Sequence, residues 1–176
     1  MSIRDEINYR CQEKRLHRLT LGIPGAPEPR AIWVAPEIER LLVGPWRNKK
    51  QAMRWGRIRN DLESFIQGDL ITVPQELNRA KSHYMARLIR PSSPEVWEIR
   101  CRDPKPSVRI FGRFADRDAF IAFRWWPRRL LGGFGDRAWR TASVQCTTDW
   151  RNLFPSYDPH SSEDYPNGYI SGSVVI

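Results

Sequence analysis

The chain has 176 residues, 40% of them hydrophobic, and a formal net charge of +9, enough for one domain with a buried core. No run reaches the roughly 18 apolar residues of a membrane span, and the N-terminal MSIRDEINYRCQEKR lacks the apolar segment of a secretory signal. A cytoplasmic location with no membrane partner is therefore the expectation.

Cys11, Cys101 and Cys146 are scattered, as are His17, His83 and His160. Their spacing gives neither a disulfide framework nor a zinc site, so reduced thiols, no metal and no cofactor are expected. The positive charge favours polyanionic partners. It stops at Pro155, beyond which the charged residues are Asp158, Glu163 and Asp164.

In chain order, residues 2–19 read as a helix, with Ser2 and Asp5 as a cap and Ile3, Ile7, Cys11 and Leu19 near helical spacing. Pro24, Pro27, Pro29 and Pro36 then forbid a helix. LGIPGAPEPRAIWVAP reads as an extended arm, with Ile32, Trp33 and Val34 packing on a neighbour. Pro36 to Val43 begins a second helix, interrupted at Gly44-Pro45. Trp55, Ile58, Leu62, Phe65 and Ile66 give the clearest helical period of the chain, and Gly68 stops it. Arg47, Lys50, Arg54 and Arg57 form a separate basic stripe, a phosphate contact or a solvated helix face. Gln75 to about Leu88 reads as a shorter helix with Leu77, Tyr84 and Leu88 on one side.

Strand patterns follow in EVWEIRC, SVRIFGRF and AFIAFRWW. LLGGFGD reads as a loop whose glycines match no dinucleotide fingerprint or P-loop. Ala142 to Thr147 reads as one more strand, and DWRNLFP as a helical turn. The residues after Pro155 read as a mobile acidic tail whose last residues, Tyr169 to Ile176, are apolar enough to dock. Three segments result: an N-terminal helix and Pro-rich arm over 1–35, an α+β domain over 36–154, and the tail over 155–176.

A hairpin turning at Asp116-Arg117 sets Phe114 opposite Ala119, Arg113 opposite Phe120, Phe111 opposite Ala122 and Arg109 opposite Arg124. One face then carries Val108, Ile110, Phe114, Ile121, Phe123 and Trp125. The other carries Arg109, Phe111, Arg113, Phe120, Arg124 and Trp126. A turn at RDPK pairs Val108 with Ile99 and Arg109 with Glu98, and adds Arg100 to the basic face. The expected fold is α+β, with helices packed on one face of a small antiparallel sheet and the arginine–aromatic face open. Guanidinium forks and stacking rings on a sheet suit single-stranded RNA. The competing readings are a solvated face, in which Glu98 neutralises Arg109, and a protein interface. One carboxylate does not answer four arginines.

Helices followed by Trp97-Glu98-Ile99-Arg100, then Val108-Arg109-Ile110-Phe111 and a third strand, resemble the RelE/HigB-like toxin superfamily over roughly residues 36–129. The resemblance implies an α+β fold with a basic sheet, metal-independent cleavage of RNA free or on the ribosome, and an acidic antitoxin as partner. It implies Arg100 and Arg109 as stabilisers of the charged phosphorane, with Arg124, Arg128 and Arg129 in a late basic run. Arginine stays protonated and is a poor general base. The alternative expectation is a non-enzymatic accessory factor of the phage or plasmid type, docking a protein through the Pro-rich arm or the tail.

Overall fold

The computed structural model describes residues 2–75, 83–88, 95–133 and 135–176. Among these, the elements run α1 (Ile3–Gln12), β1 (His17–Leu19), β2 (Ala31–Val34), α2 (Pro36–Val43), α3 (Lys49–Ile66), β3 (Ile71–Val73), β4 (Met85–Arg87), β5 (Trp97–Cys101), β6 (Val108–Asp116), β7 (Ala119–Pro127), a 3₁₀ turn (Arg128–Leu130), α4 (Arg137–Leu153) and β8 (Ser173–Val175). The main sheet has the order β1-β2-β7-β6-β5-β4, and β3 pairs with β8 separately. Every pairing in the main sheet is antiparallel except β2 with β7. The class is α+β, as expected from the sequence.

Local chemistry sets the helix ends. Ser2 and Asp5 close a reciprocal capping box on α1. Pro36 occupies the first turn of α2, where its missing N–H costs nothing. Asn48 caps α3 through Gln51 N, and the chain leaves that helix through Gly68 at φ +85°. The inward stripe of α3 (Trp55, Ile58, Leu62, Phe65 and Ile66) is buried against Ile32, Val34, Trp97, Ile99, Ile110, Phe114 and Phe120 of the sheet. This is the cover that the helical period required.

A second layer covers the other face. Trp139, Ala142, Cys146, Trp150 and Leu153 recur at steps of three and four on α4 and pack with Phe111, Ile121 and Phe123. Ile7 of α1 joins them, and Arg10 Nε donates to Leu153 O at 2.9 Å. Residues Ala142 to Thr147 are thus helical, not a strand. Their short apolar alternation lies inside a longer helical period that begins at Trp139. The sheet face expected to be open is therefore roofed.

Three other segments differ from expectation. Residues 17–19 form an edge strand, after Lys14 turns the chain at φ 58°. Residues 83–88 are extended around β4 rather than helical, and 76–82, including Leu77, lie outside the described residues. The tail, read as mobile, is tied to the sheet through His160 N and Phe114 O, while its apolar end docks as expected: Tyr169 and Ile170 are fully buried and β8 runs parallel to β3.

Register in the long hairpin differs for a definite reason. Arg109 faces Trp126, Phe111 faces Arg124 and Gly112 faces Ala122, with an irregularity between Phe111 and Gly112. The bulge leaves Phe123 unopposed and reverses pleat parity. Ile121 and Phe123 face α4, whereas Phe120, Ala122 and, beyond the bulge, Trp125 face α3. Gly112 permits this, because a Cβ there collides with Ile121 O and the Phe120 ring. On the other side of β6, Arg109 pairs with Arg100 and Phe111 with Glu98, a shift of two residues from the expected register.

Arg30 joins the parts. It is 3% exposed. Its Nη1 donates to Phe65 O (3.2 Å) and Asp69 O (2.9 Å), and its Nη2 to Ser171 O (2.6 Å). Its Nε lies 3.6 Å from Asp118 Oδ1 in the β6–β7 turn. Replacing Arg30 by Ala leaves these acceptors and Asp118 without their cation. We expect a loss of about 3 kcal/mol in urea unfolding, and Arg30→Lys recovers only part of it because an ammonium lacks the planar fork. Gly112→Ala is expected to lower stability by about 1–3 kcal/mol or more through overpacking. A neutral Gly112→Ala would show that the bulge does not depend on the missing side chain.

Candidate nucleic-acid interface

The sheet separates the arginines into distinct groups. Arg100 and Arg109 are cross-strand partners on β5 and β6. Glu98, fully buried, stands between them. Arg100 Nε and Nη2 each lie 2.8 Å from Glu98 Oε1, and Arg109 Nε is 3.2 Å from Oε2. Arg109 Nη1 donates to Val108 O at 3.1 Å.

Arg128 comes to the same end of the sheet. Its backbone N–H donates to Ser107 O at 2.8 Å, just before β6. Its side chain donates to Gly132 O at 2.7 Å and lies 5.7 Å from the centre of the Trp139 ring. Burial lowers the Arg109 guanidinium to about 10; Glu98 opposes that shift, while Arg100, Arg128 and Arg102 add to it. Positive charge is thus concentrated here around one carboxylate.

The remaining residues singled out from the sequence lie elsewhere. Arg124 forms a bidentate pair with Asp149 of α4 (2.6 and 2.9 Å) and sits 3.8 Å from Glu37. The Asp149 carboxylate holds its guanidinium above the usual value. Arg124 therefore does not meet Arg109, because the bulge and α4 direct it to a separate ion pair.

Arg113 is 4% exposed, and its guanidinium lies 5.6 Å from the Trp150 ring centre. Burial pulls its charge equilibrium below the ordinary range. Phe111 and Phe120 are fully buried in opposite cores, and Trp126 packs partly buried under α4. The described residues form no open arginine–aromatic platform. Arg54 donates to Pro106 O at 2.9 Å, beside the loop between β5 and β6. Arg57 on the outer side of α3 and Arg129 after β7 are both exposed.

Sequence reasoning places Glu98 against Arg109 but misses Arg128 as a neighbour of Arg109, and misses Asp149 as the partner of Arg124. Both follow from how the strands end and from α4, neither of which has a short-range signal. His83 and Tyr84 enter β4 rather than projecting from a helix, and the Tyr84 hydroxyl donates to Asp61 O.

Asp61, on α3, is the carboxylate most displaced on the opposite face. Burial raises its carboxyl to about 6; the Cys101 thiol opposes that shift and Asp103 adds to it. Burial, with Asp61 beside it, pushes the Cys101 thiol well up.

No protein-family model matches the chain, and no curated protein or solved structure matches it significantly.

Because Asp61 binds its proton more tightly when folded, its contribution is complete below its ordinary value of 3.8 and is lost as pH rises to about 6. Asp61→Asn should stabilise the protein at roughly pH 7.5, by on the order of 1 kcal/mol after solvent screening. The gain should fade toward roughly pH 4. Melting curves across this range check it, and a pH-independent difference would refute the burial account.

Proposed function

We propose that the protein binds single-stranded RNA through its phosphates, at the basic end of the sheet formed by Arg100, Arg109 and Arg128, with Arg129 next to it in sequence and Arg54 at the adjoining loop. The observation that carries this reading is the shortage of negative charge. Among the described residues, the guanidiniums of Arg100 and Arg109 share the single carboxylate of Glu98, Arg128 stands at the same end of the sheet, and the side chains of Arg109 and Arg128 are otherwise held by neutral carbonyl oxygens. A carbonyl fixes a guanidinium in place without cancelling its charge, so the cluster keeps a strong field for an anion.

The order of elements supports the same reading. A helix pair, α2 and α3, precedes strands carrying WEIR and VRIF, as the RelE/HigB-like resemblance implies. On that resemblance, Arg100 and Arg109 would be the charge-stabilising residues. Binding is proposed rather than cleavage. Arg109 remains protonated at neutral pH even with its value lowered to about 10, and Arg124 is engaged by Asp149. Docking of a protein through the arm or tail is less well supported, since Ile32 and Val34 of the arm and Tyr169 and Ile170 of the tail are buried in this chain's own core.

Arg128 and Arg129 can be removed without uncovering Glu98. The double variant Arg128→Ala/Arg129→Ala should fold normally by circular dichroism. Its affinity for a labelled single-stranded RNA at roughly 50 mM salt should fall about tenfold or more, and the salt slope should flatten by about 0.7 for each phosphate no longer neutralised. Unchanged affinity and slope would rule out this end of the sheet as the binding surface.

A further inference from the structure

We infer that the Arg100–Arg109–Arg128 cluster is a site for a terminal phosphate monoester, so that the protein takes RNA by a phosphorylated end; this deepens, and rests on, the RNA-binding reading. Charge is the first argument. With Glu98 as the one carboxylate paired to it among the described residues, the cluster holds an excess of two positive charges. A phosphate monoester carries about −1.5 to −2 at pH 7 and cancels that excess. A phosphodiester inside a chain carries a single charge and cancels only half of it.

Access is the second argument. Arg109 is 7% exposed, and the Arg100 side chain 13%. A phosphate that reaches both must do so through the small area that these two side chains expose. An internal phosphodiester has a nucleoside on each side and needs an open track with surfaces for both. Of the rings expected to supply that surface, Phe111 and Phe120 are fully buried and Trp126 is half-buried. A terminal phosphate has one substituent, which can remain outside.

Geometry is the third argument. One terminal nitrogen of Arg109 serves Val108 O and one of Arg128 serves Gly132 O, which leaves the second terminal nitrogen of each guanidinium for a ligand. Arg100 is fixed by Nε and Nη2 on Glu98, which leaves its Nη1. A monoester offers three terminal oxygens to these donors, where a diester offers two.

The test measures one oligoribonucleotide sequence with a 5′-phosphate, with a 3′-phosphate and with hydroxyls at both ends, using the full chain and Arg128→Ala. At least one phosphorylated form should bind about tenfold more tightly than the hydroxyl form. The preference should grow as pH rises through about 6, where the monoester gains its second charge, and should vanish in Arg128→Ala. Equal binding of all three oligonucleotides overturns this inference and leaves the RNA reading standing. If no oligonucleotide binds, the melting temperature in inorganic phosphate and in adenosine monophosphate decides. A rise that is absent in Arg128→Ala keeps the monoester site and removes RNA as its source, while no rise overturns both.

Discussion

A single buried guanidinium holds together parts of the chain that are far apart in sequence. Arg30 fills the carboxyl end of α3, where successive backbone carbonyls lack helical partners, and so binds at the negative end of that helix dipole. The same side chain reaches Ser171 O near the end of the chain and Asp118 in the β6–β7 turn. Asp118 completes the arrangement by accepting from Ser171 N at 2.8 Å, while its own N–H donates to Tyr169 O. Burial pulls Arg30 below the ordinary arginine range and the Asp118 charge counteracts this. The arm, a helix end, a hairpin tip and the tail are thereby fixed to each other by one planar group.

The Glu98 cluster obeys different energetics. Two cations around one fully buried carboxylate do not constitute an efficient stability device, because desolvating the three charges offsets most of their attraction. Well-packed apolar side chains at these positions would serve the fold as well. Arg30 is matched by Asp118, and Arg124 by Asp149 with Glu37 nearby, so each of these cations has at least one carboxylate to itself. The basic end of the sheet is unbalanced by comparison, with two guanidiniums sharing one carboxylate, and the proposed ligand site rests on that imbalance.

Much of this architecture is legible in the sequence where a period is long and clean. The α3 stripe from Trp55 to Ile66 and the strands at Trp97–Cys101, Val108–Asp116 and Ala119–Pro127 emerge directly from spacing. The helix α4 does not, since Ala142, Val144 and Cys146 alternate locally like a strand, and only the span from Trp139 to Leu153 shows the helical repeat. The same ambiguity reaches the candidate site: without α4 the arginine face looks open, and Arg124 looks unpaired. The bulge at Gly112 is also hidden. It depends on the close approach of the Gly112 backbone to the Phe120 ring, which no local pattern encodes. Glu98 is legible as a counter-charge, whereas the approach of Arg128 to Arg109 requires the three-dimensional pairing of strand ends.

The parallel pairing of β2 with β7 has a consequence for the order in which the molecule assembles. Residues Ala31 to Val34 find their hydrogen-bond partners at Ala119 to Ala122, and Arg30 finds its last acceptor at Ser171. Pairings so distant along the chain form late, because their loops must close before any interaction rewards them. During synthesis residues 30–34 therefore wait, as an unpaired strand beside an uncompensated cation, until residue 171 has emerged.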